Sequence, residues 1–474
     1  MKYRMAVAAV LILIVVGCIP KRYEWSPDGR WMTVLADDGL HIADADGKLT
    51  PAFLPAVEVA TWFADSKRLL VATQVNPSTW NDLKACLSTQ QINSVTAAAD
   101  RASQAAMRYD WNQPNINWQV FIDQLRDQEQ QAGRDAEVYD FAQGIGLYLR
   151  DHSDAALQKL PTDRWNELQQ MNQTLTLLKV VAFDGQQFQV ASHAALPTRE
   201  PVELRISPRQ NAALVMIAAG TDKTVCDMWL TPLDGTGAPK KLSDHAAWYP
   251  DWSPDGRDIY FVQTNGAKQQ SGDFGSLSRL TLFDKHGNLL EHPTDPTDLA
   301  GLIFSGIERV RCLKDGRVIF ASVEVTLPAT SGDLPQKPEL FCLMPGQATV
   351  TRLLTRSTVE QIGHGCWWFE LSPDNTHVSI ADDHGKVAVI DLDSGHTIEA
   401  QDQPMSNDDS DTGHTTVPTW RNNDELTFAA PGSDSDHWNV MLWSLSKSAS
   451  VTLSTSWPAQ LLTDKQPSTQ PTSK

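Results

Sequence analysis

The chain has 474 residues and a formal net charge of −19, with 58 Asp and Glu against 39 Lys and Arg. That balance repels phosphate backbones and anionic lipid, so no nucleic-acid partner is expected. The 16 tryptophans suit a large β protein with stacked sheets, and the scattered cysteines, with no CxxC pair, do not make a disulfide scaffold.

The first element is a leader. Lys2 and Arg4 precede an apolar run from Met5 to Val16, which Pro20, Lys21 and Arg22 end. A transmembrane helix needs about 20 apolar residues, so the shorter run predicts a secretory signal peptide over 1–17. Val15-Val16-Gly17-Cys18 resembles the lipobox of bacterial lipoproteins, with Val15 in place of the preferred leucine. The resemblance implies cleavage after Gly17 and lipid on Cys18, anchoring the chain at about 0.8 kcal/mol per buried CH₂. Because Ile19 is not aspartate, it also implies sorting to the outer membrane of the cell envelope, facing the periplasm. Loss of Lys2 and Arg4 takes the charge from −19 to −21. Ile19 to Arg22 alone separate Cys18 from the first expected strand, so the body should sit against the bilayer.

Residues 18–474 read as one repeating body. WSPDGR occurs at Trp25–Arg30 and at Trp252–Arg257, with LSPDN at Leu371–Asn375. Units of short strands parted by turns run over 23–56, 57–192, 202–243, 246–292, 303–356, 360–402 and 414–456, and 457–474 is a polar tail. Ser-Pro-Asp-Gly suits a type I turn, in which Ser accepts, Pro fixes φ and Gly closes. Recurrence about every 40 to 60 residues is the period of a β-propeller, each unit being a four-stranded antiparallel blade. The expected fold class is all-β: a seven-bladed β-propeller, with six or eight blades as alternatives. Trp25, Trp62, Trp252 and Trp420 share one repeat position and are assigned to its core.

These units resemble the repeat of TolB-type (WD-like) propellers, which also accompany prolyl-oligopeptidase-type peptidases. The resemblance is close at Tyr23–Thr50, Pro250–Gly266 and Phe369–Thr397. It departs at Arg209-Gln210 and Leu313-Lys314.

Unit two is interrupted over 77–173 by a stretch rich in Ala, Gln and Leu. About four helices are expected. One starts at Asn76-Pro77-Ser78 and continues to Met107, and one carries Trp118, Phe121, Ile122 and Leu125. A third carries Val138, Tyr139, Ala142, Ile145 and Leu149, and Thr162 N-caps the last. This α-helical lobe is inserted in blade two.

Chemistry is sparse. No GxSxG elbow, HExxH, P-loop or GxGxxG strand–helix junction is present, and the repeats leave no room for a peptidase domain. Asp37-Asp38 and Asp382-Asp383-His384 occupy matching hairpin turns, where carboxylates accept local backbone hydrogen bonds. Asp408, Asp409, Asp411, Asp434 and Asp436 read as solvated loops, since the rest of a calcium loop is missing. His364 and His414 are assigned to polar channel lining, and Cys366 has no basic partner in sequence. Trp367-Trp368 can turn one ring inward; Trp111 and Trp118 are placed in the lobe's core, an exposed loop tip being the alternative. Cys312 and Cys342 fall on first and third strands, too far apart to pair. No catalytic, cofactor or metal residue is assigned; Cys18 is the lipidation site.

The function expected is a membrane-anchored, non-catalytic scaffold that engages envelope protein partners through a propeller face and the lobe. The alternatives are a lyase or hydrolase acting on polysaccharide at the channel mouth, or a glycan or small-ligand binder there.

Overall fold

The computed structural model describes residues 23–458 apart from internal stretches, the longer being 153–159, 219–224, 326–338, 363–367, 382–386, 402–417 and 432–436. The expected leader with Cys18 and most of the expected polar tail lie outside the described residues.

Each repeat turn joins a short inner strand to a longer one. Tyr23–Trp25 pairs antiparallel with Trp31–Ala36, Trp25 facing Met32, and the Gly29 N–H closes on Ser26 O at 2.8 Å. The fourth turn residue is left-handed, at φ 66° for Gly29 and 67° for Gly256. Ser66, Gln210 and Asn375 hold the same position at 57°, 59° and 64°. The departures from Gly in the looser units therefore keep the turn and accept the modest steric cost of a Cβ there.

The described strands form antiparallel sheets radiating from these inner strands, the architecture of a β-propeller. Four sheets have four strands, with inner strands Val57–Trp62, Val310–Cys312, Trp368–Leu371 and Thr419–Trp420. Pro201–Ile206 and Asp251–Trp252 are the inner strands of two further sets, merged into one large sheet by the single pair Ala246↔Gln263. Inner strands adjoin in chain order, Trp252 bonding to Arg205 O and Arg311 to Glu370 where the third meets the fourth and the fifth meets the sixth, and Tyr23–Trp25 also meets Thr419–Trp420, which closes the circle. Apolar layers fill the gaps between sheets, with Phe261, Phe320 and Trp443 fully buried.

Two expectations about the blades need correction. The first sheet has three strands, not four: beyond Gly39–Asp44 the chain makes only the bridges Ala43↔Leu49 and Leu40↔Leu54. Pro51 and Pro55, which lack an N–H, stand in that segment and prevent a continuous ladder. The outer strand of the fourth set is Thr297–Phe304, past the expected boundary at 292, because Pro293 and Pro296 delay its start.

Between Arg68–Val75 and Leu175–Phe183 stand α1 (Trp80–Cys86), α2 (Thr89–Ala106), α3 (Trp118–Gln131), α4 (Ala142–Asp151) and α5 (Thr162–Gln169). A 3₁₀ turn at Glu137–Phe141 leads into α4, and α6 (Arg356–Ile362) lies elsewhere, before the strand at Trp368. The single helix expected up to Met107 is two, because Ser88 forms a capping box with Gln91 and starts α2 afresh. Thr162 is the first residue of α5 rather than its cap; Pro161 precedes it, with no side-chain cap. The helices share a core in which Trp118, Phe121, Ile122 and Ile145 meet Leu175, Leu177 and Ala195 of the adjoining sheet.

Candidate functional site

The repeat register puts one residue of each inner strand directly before the core aromatic position. Those residues are Glu24, Thr61, Arg205, Asp251, Arg311, Glu370 and Thr419. Side chains alternate along a strand, so where the aromatic packs between sheets its predecessor turns toward the axis. Charges therefore converge at the centre, alternating in sign from Arg205 through Asp251 and Arg311 to Glu370.

The convergence is visible at Arg205. Its Nε lies 3.0 Å from Glu203 Oε1. Burial alone pulls the guanidinium pKa down, but the carboxylates of Glu203, Asp251, Glu370 and Glu24 hold it above its ordinary value. Asp251 Oδ2 accepts the Cys312 N–H at 2.9 Å. Its burial outweighs the pull of Arg205, and the carboxyl pKa is pushed up to about 6. Glu24 Oε1 accepts from Thr61 Oγ1 at 3.4 Å.

A second layer lies two residues back along the chain: Glu203, Tyr249, Arg309 and Trp368, with Tyr249 and Arg309 joined by a parallel bridge just before their strands. Arg309 is 1% exposed. Its guanidinium carbon lies 4.5 Å from the Tyr249 ring centroid and 4.7 Å from that of Trp368. Its Nη1 donates to Glu370 Oε2 at 2.6 Å, while Arg311 Nε donates to Glu370 Oε1 at 3.2 Å. One carboxylate thus serves two buried guanidiniums, and the aromatic faces supply cation–π contact to the first.

The cluster can hold polar groups and fix neighbouring sheets together. Among the described residues it contains no nucleophile paired with a base. Cys312, which borders it, has its thiol pKa raised well above the ordinary value by burial and by Asp251 and Asp258, so it stays protonated. Among the described residues no group of His, Cys, Asp and Glu is arranged to hold a metal ion.

The residues singled out in the sequence fare differently. Asp28 shapes its turn: Ser26 Oγ donates to Asp28 Oδ1 at 2.7 Å and the Arg30 N–H at 3.2 Å. Partial burial opposes these bonds, yet Ser26 and Arg30 hold the carboxyl below its ordinary pKa. Asp255 is held low in the same way by Ser253 and Arg257. Asp38 Oδ1 accepts from His41 Nε2 at 2.7 Å. Trp118 and Trp111 lie in and against the lobe's core, their indole N–H groups donating to Ala142 O and Ala106 O, each at 3.0 Å. Cys86, Cys226, Cys312 and Cys342 are free, and a strand stands between Cys312 and Cys342.

Cys18, Asp37, His364, Cys366, Trp367, Asp382, Asp383, His384, Asp408, Asp409, Asp411, His414, Asp434 and Asp436 lie outside the described residues. The charged residues at the axis were missed in the sequence. Their only signal was a polar residue just before each repeat's core position.

No family model matches the chain, and no curated protein matches it. Among solved structures it is similar to a puromycin hydrolase, at 16% identity over 60% of this chain and 44% of that one, with a TM-score of 0.39. The chain thus spans less than half the length of that hydrolase. A TolB-type protein from Agrobacterium tumefaciens is 12% identical over 57% of this chain and 86% of its own, with a TM-score of 0.35. The β-propeller domain of Cps50 (Swd1) from Myceliophteria thermophila is 9% identical over 90% of this chain and 96% of its own, with a TM-score of 0.43. At such scores these likenesses carry no argument about what the chain does.

Proposed function

We propose that the chain is a lipid-anchored scaffold of the cell envelope, a seven-bladed propeller whose face and inserted lobe hold protein partners without catalysis. One observation carries the reading. Arg68–Val75 and Leu175–Phe183 pair along their whole length, from Arg68↔Ala182 to Val75↔Leu175. The two strands pair without the helices, so the lobe, which shares its core with Leu175, Leu177 and Ala195, serves something other than strand pairing. The bonded circle of sheets suits a rigid platform, and the lipobox-like VVGC supplies the anchor at Cys18.

The test replaces 77–173 by an Asn-Gly hairpin, a turn that suits two strands meeting at Val75 and Leu175. Leu177→Thr in the same variant covers the apolar patch left on the sheet. The expected result is a folded, membrane-bound protein that loses the partners crosslinked to the full chain in native membranes. Retention of the same crosslinked partners by the deletion variant would remove the lobe from the reading. Polysaccharide cleavage by the pure full chain would replace the scaffold with an enzyme.

A further inference from the structure

Strand direction gives the body two distinct ends. Every inner strand runs toward its repeat turn, and neighbouring turns touch, so the turns gather at one end. The Asp28 N–H donates to Ser66 Oγ at 3.0 Å, and Arg209 Nε to Asp255 O at 2.8 Å. The Lys314 N–H donates to Asn375 Oδ1 at 3.1 Å, and Arg421 Nε to Gly29 O at 3.1 Å. The other end holds the start of Tyr23–Trp25, where the chain enters the body beside the axis. It also holds the root of the lobe, because Arg68–Val75 leaves its turn and finishes at Val75, while Val57 of the inner strand faces Thr73.

We propose that the end bearing Tyr23 and the lobe's root lies on the bilayer, and that the turn-bearing end faces away from it. The inference rests on the anchor at Cys18 and adds the orientation that the anchor imposes. From Cys18 to Tyr23 there are five residue steps, which reach at most about 18 Å when extended. To lay the turn-bearing end on the membrane, that tether has to pass the full height of the body from an axial start. The eight residues of Arg68–Val75 alone span about 26 Å. The tether is too short for that, so the orientation is fixed by length.

The charge of the tether acts in the same direction. Lys21 and Arg22 stand in the tether, and each basic residue near an anionic leaflet contributes about 1 kcal/mol of attraction. The lobe carries more Asp and Glu than Lys and Arg, so its repulsion from anionic lipid acts against this orientation, which tether length alone decides. No described helix is long and apolar enough to cross a membrane.

The experiment places a benzophenone photocrosslinking residue at exposed Glu58, at exposed Asn76 or at exposed Lys67 of the full lipidated chain. Glu58 and Asn76 mark the anchored end, and Lys67 marks the turn-bearing end. Each variant is reconstituted in vesicles of phosphatidylcholine and phosphatidylglycerol, and lipid adducts are counted by mass. Roughly tenfold more adduct at 58 and 76 than at 67 is expected, the ends being a strand length apart. Equal yields, or more at 67, overturn the orientation. Flotation of the vesicles separates the two ideas. Protein that fails to float sinks the anchor and the orientation together, whereas floating protein crosslinked at 67 sinks the orientation alone. Having two sites at the anchored end covers the case in which one variant folds poorly.

Discussion

The indole N–H of Trp25 donates to Thr427 Oγ1 at 3.1 Å, joining residues 402 positions apart. The equivalent indoles of Trp62, Trp252 and Trp420 donate to main-chain oxygens of the preceding inner strand, Glu24 O at 3.2 Å, Arg205 O at 3.0 Å and Glu370 O at 3.1 Å. Only where the last sheet meets the first is the acceptor a side chain, and Thr427 is itself bonded to Thr419 Oγ1 at 3.0 Å. Arg421 lies 5.0 Å from the Trp25 ring and reinforces the same seam.

This seam yields the first prediction. Trp25→Phe keeps an aromatic ring but loses the donor, and Thr427→Val loses the acceptor. In a double-mutant cycle read by denaturant midpoint, the two are expected to couple by about 1 kcal/mol, the net value of a buried hydrogen bond. Simple additivity would mean that the closing bond contributes nothing.

Glu370 supplies the second. Removing it leaves Arg309 and Arg311 buried without their shared carboxylate, 1% and 3% exposed. Breaking a buried pair from one side costs about 3–5 kcal/mol, so Glu370→Leu should lower the denaturant midpoint sharply. Adding Arg311→Met to that variant should recover part of the loss, because one uncompensated charge is removed. A Glu370→Leu effect no larger than that of an exposed Glu360→Leu control would show that the cluster is well solvated.

The turns were legible because a Ser-Pro-Asp-Gly tetrapeptide is specified locally: hydroxyl, fixed φ, carboxylate and left-handed residue each act within a few positions. That local chemistry located the inner strands, and the break in its period located the helices. The central charges were not legible for the opposite reason. Glu24, Thr61, Arg205, Asp251, Arg311, Glu370 and Thr419 share a register but no residue type, and their meaning arises only when distant strands converge. The break at Ser88 was written in the sequence as Ser-Thr-Gln-Gln, a capping box hidden by the helix-favouring residues on both sides. Where Pro51, Pro55, Pro293 and Pro296 altered the strands, the missing N–H donors were in view and the blade template overrode them.

Gly29 and Gly316 make a matched pair for the third prediction. Both are left-handed, at φ 66° and 89°, so Ala strains the backbone at either. A Cβ on Gly29 would also stand 2.7 Å from Arg421 O, across the closing seam, whereas nothing lies within 4 Å of one on Gly316. Gly29→Ala should therefore destabilise more than Gly316→Ala, whose cost is about 1 kcal/mol from backbone strain alone. Equal losses in the two variants would show that the seam can shift to admit a methyl group.

Asp251 sets a pH dependence whose sign is fixed by its raised pKa. From an ordinary value of 3.8 the carboxyl moves to about 6 in the folded chain, chiefly through burial. A group raised on folding binds protons more readily in the native state, so its contribution is fully present below the unfolded pKa. It is lost as pH rises through the folded one. Asp28, Asp65, Asp255 and Asp374 are held low and act the other way, their stabilisation being lost as pH falls. The wild-type curve mixes both, so the informative quantity is the stability difference between wild type and Asp251→Asn. That difference should shift toward the variant between pH 4 and pH 7, by on the order of 2 kcal/mol, as the wild-type carboxyl is forced to ionise in place. Guanidinium denaturation at several pH values measures it. A difference that stays flat, or moves toward the wild type as pH rises, would mean that Arg205 and the Cys312 N–H fully compensate the buried carboxylate.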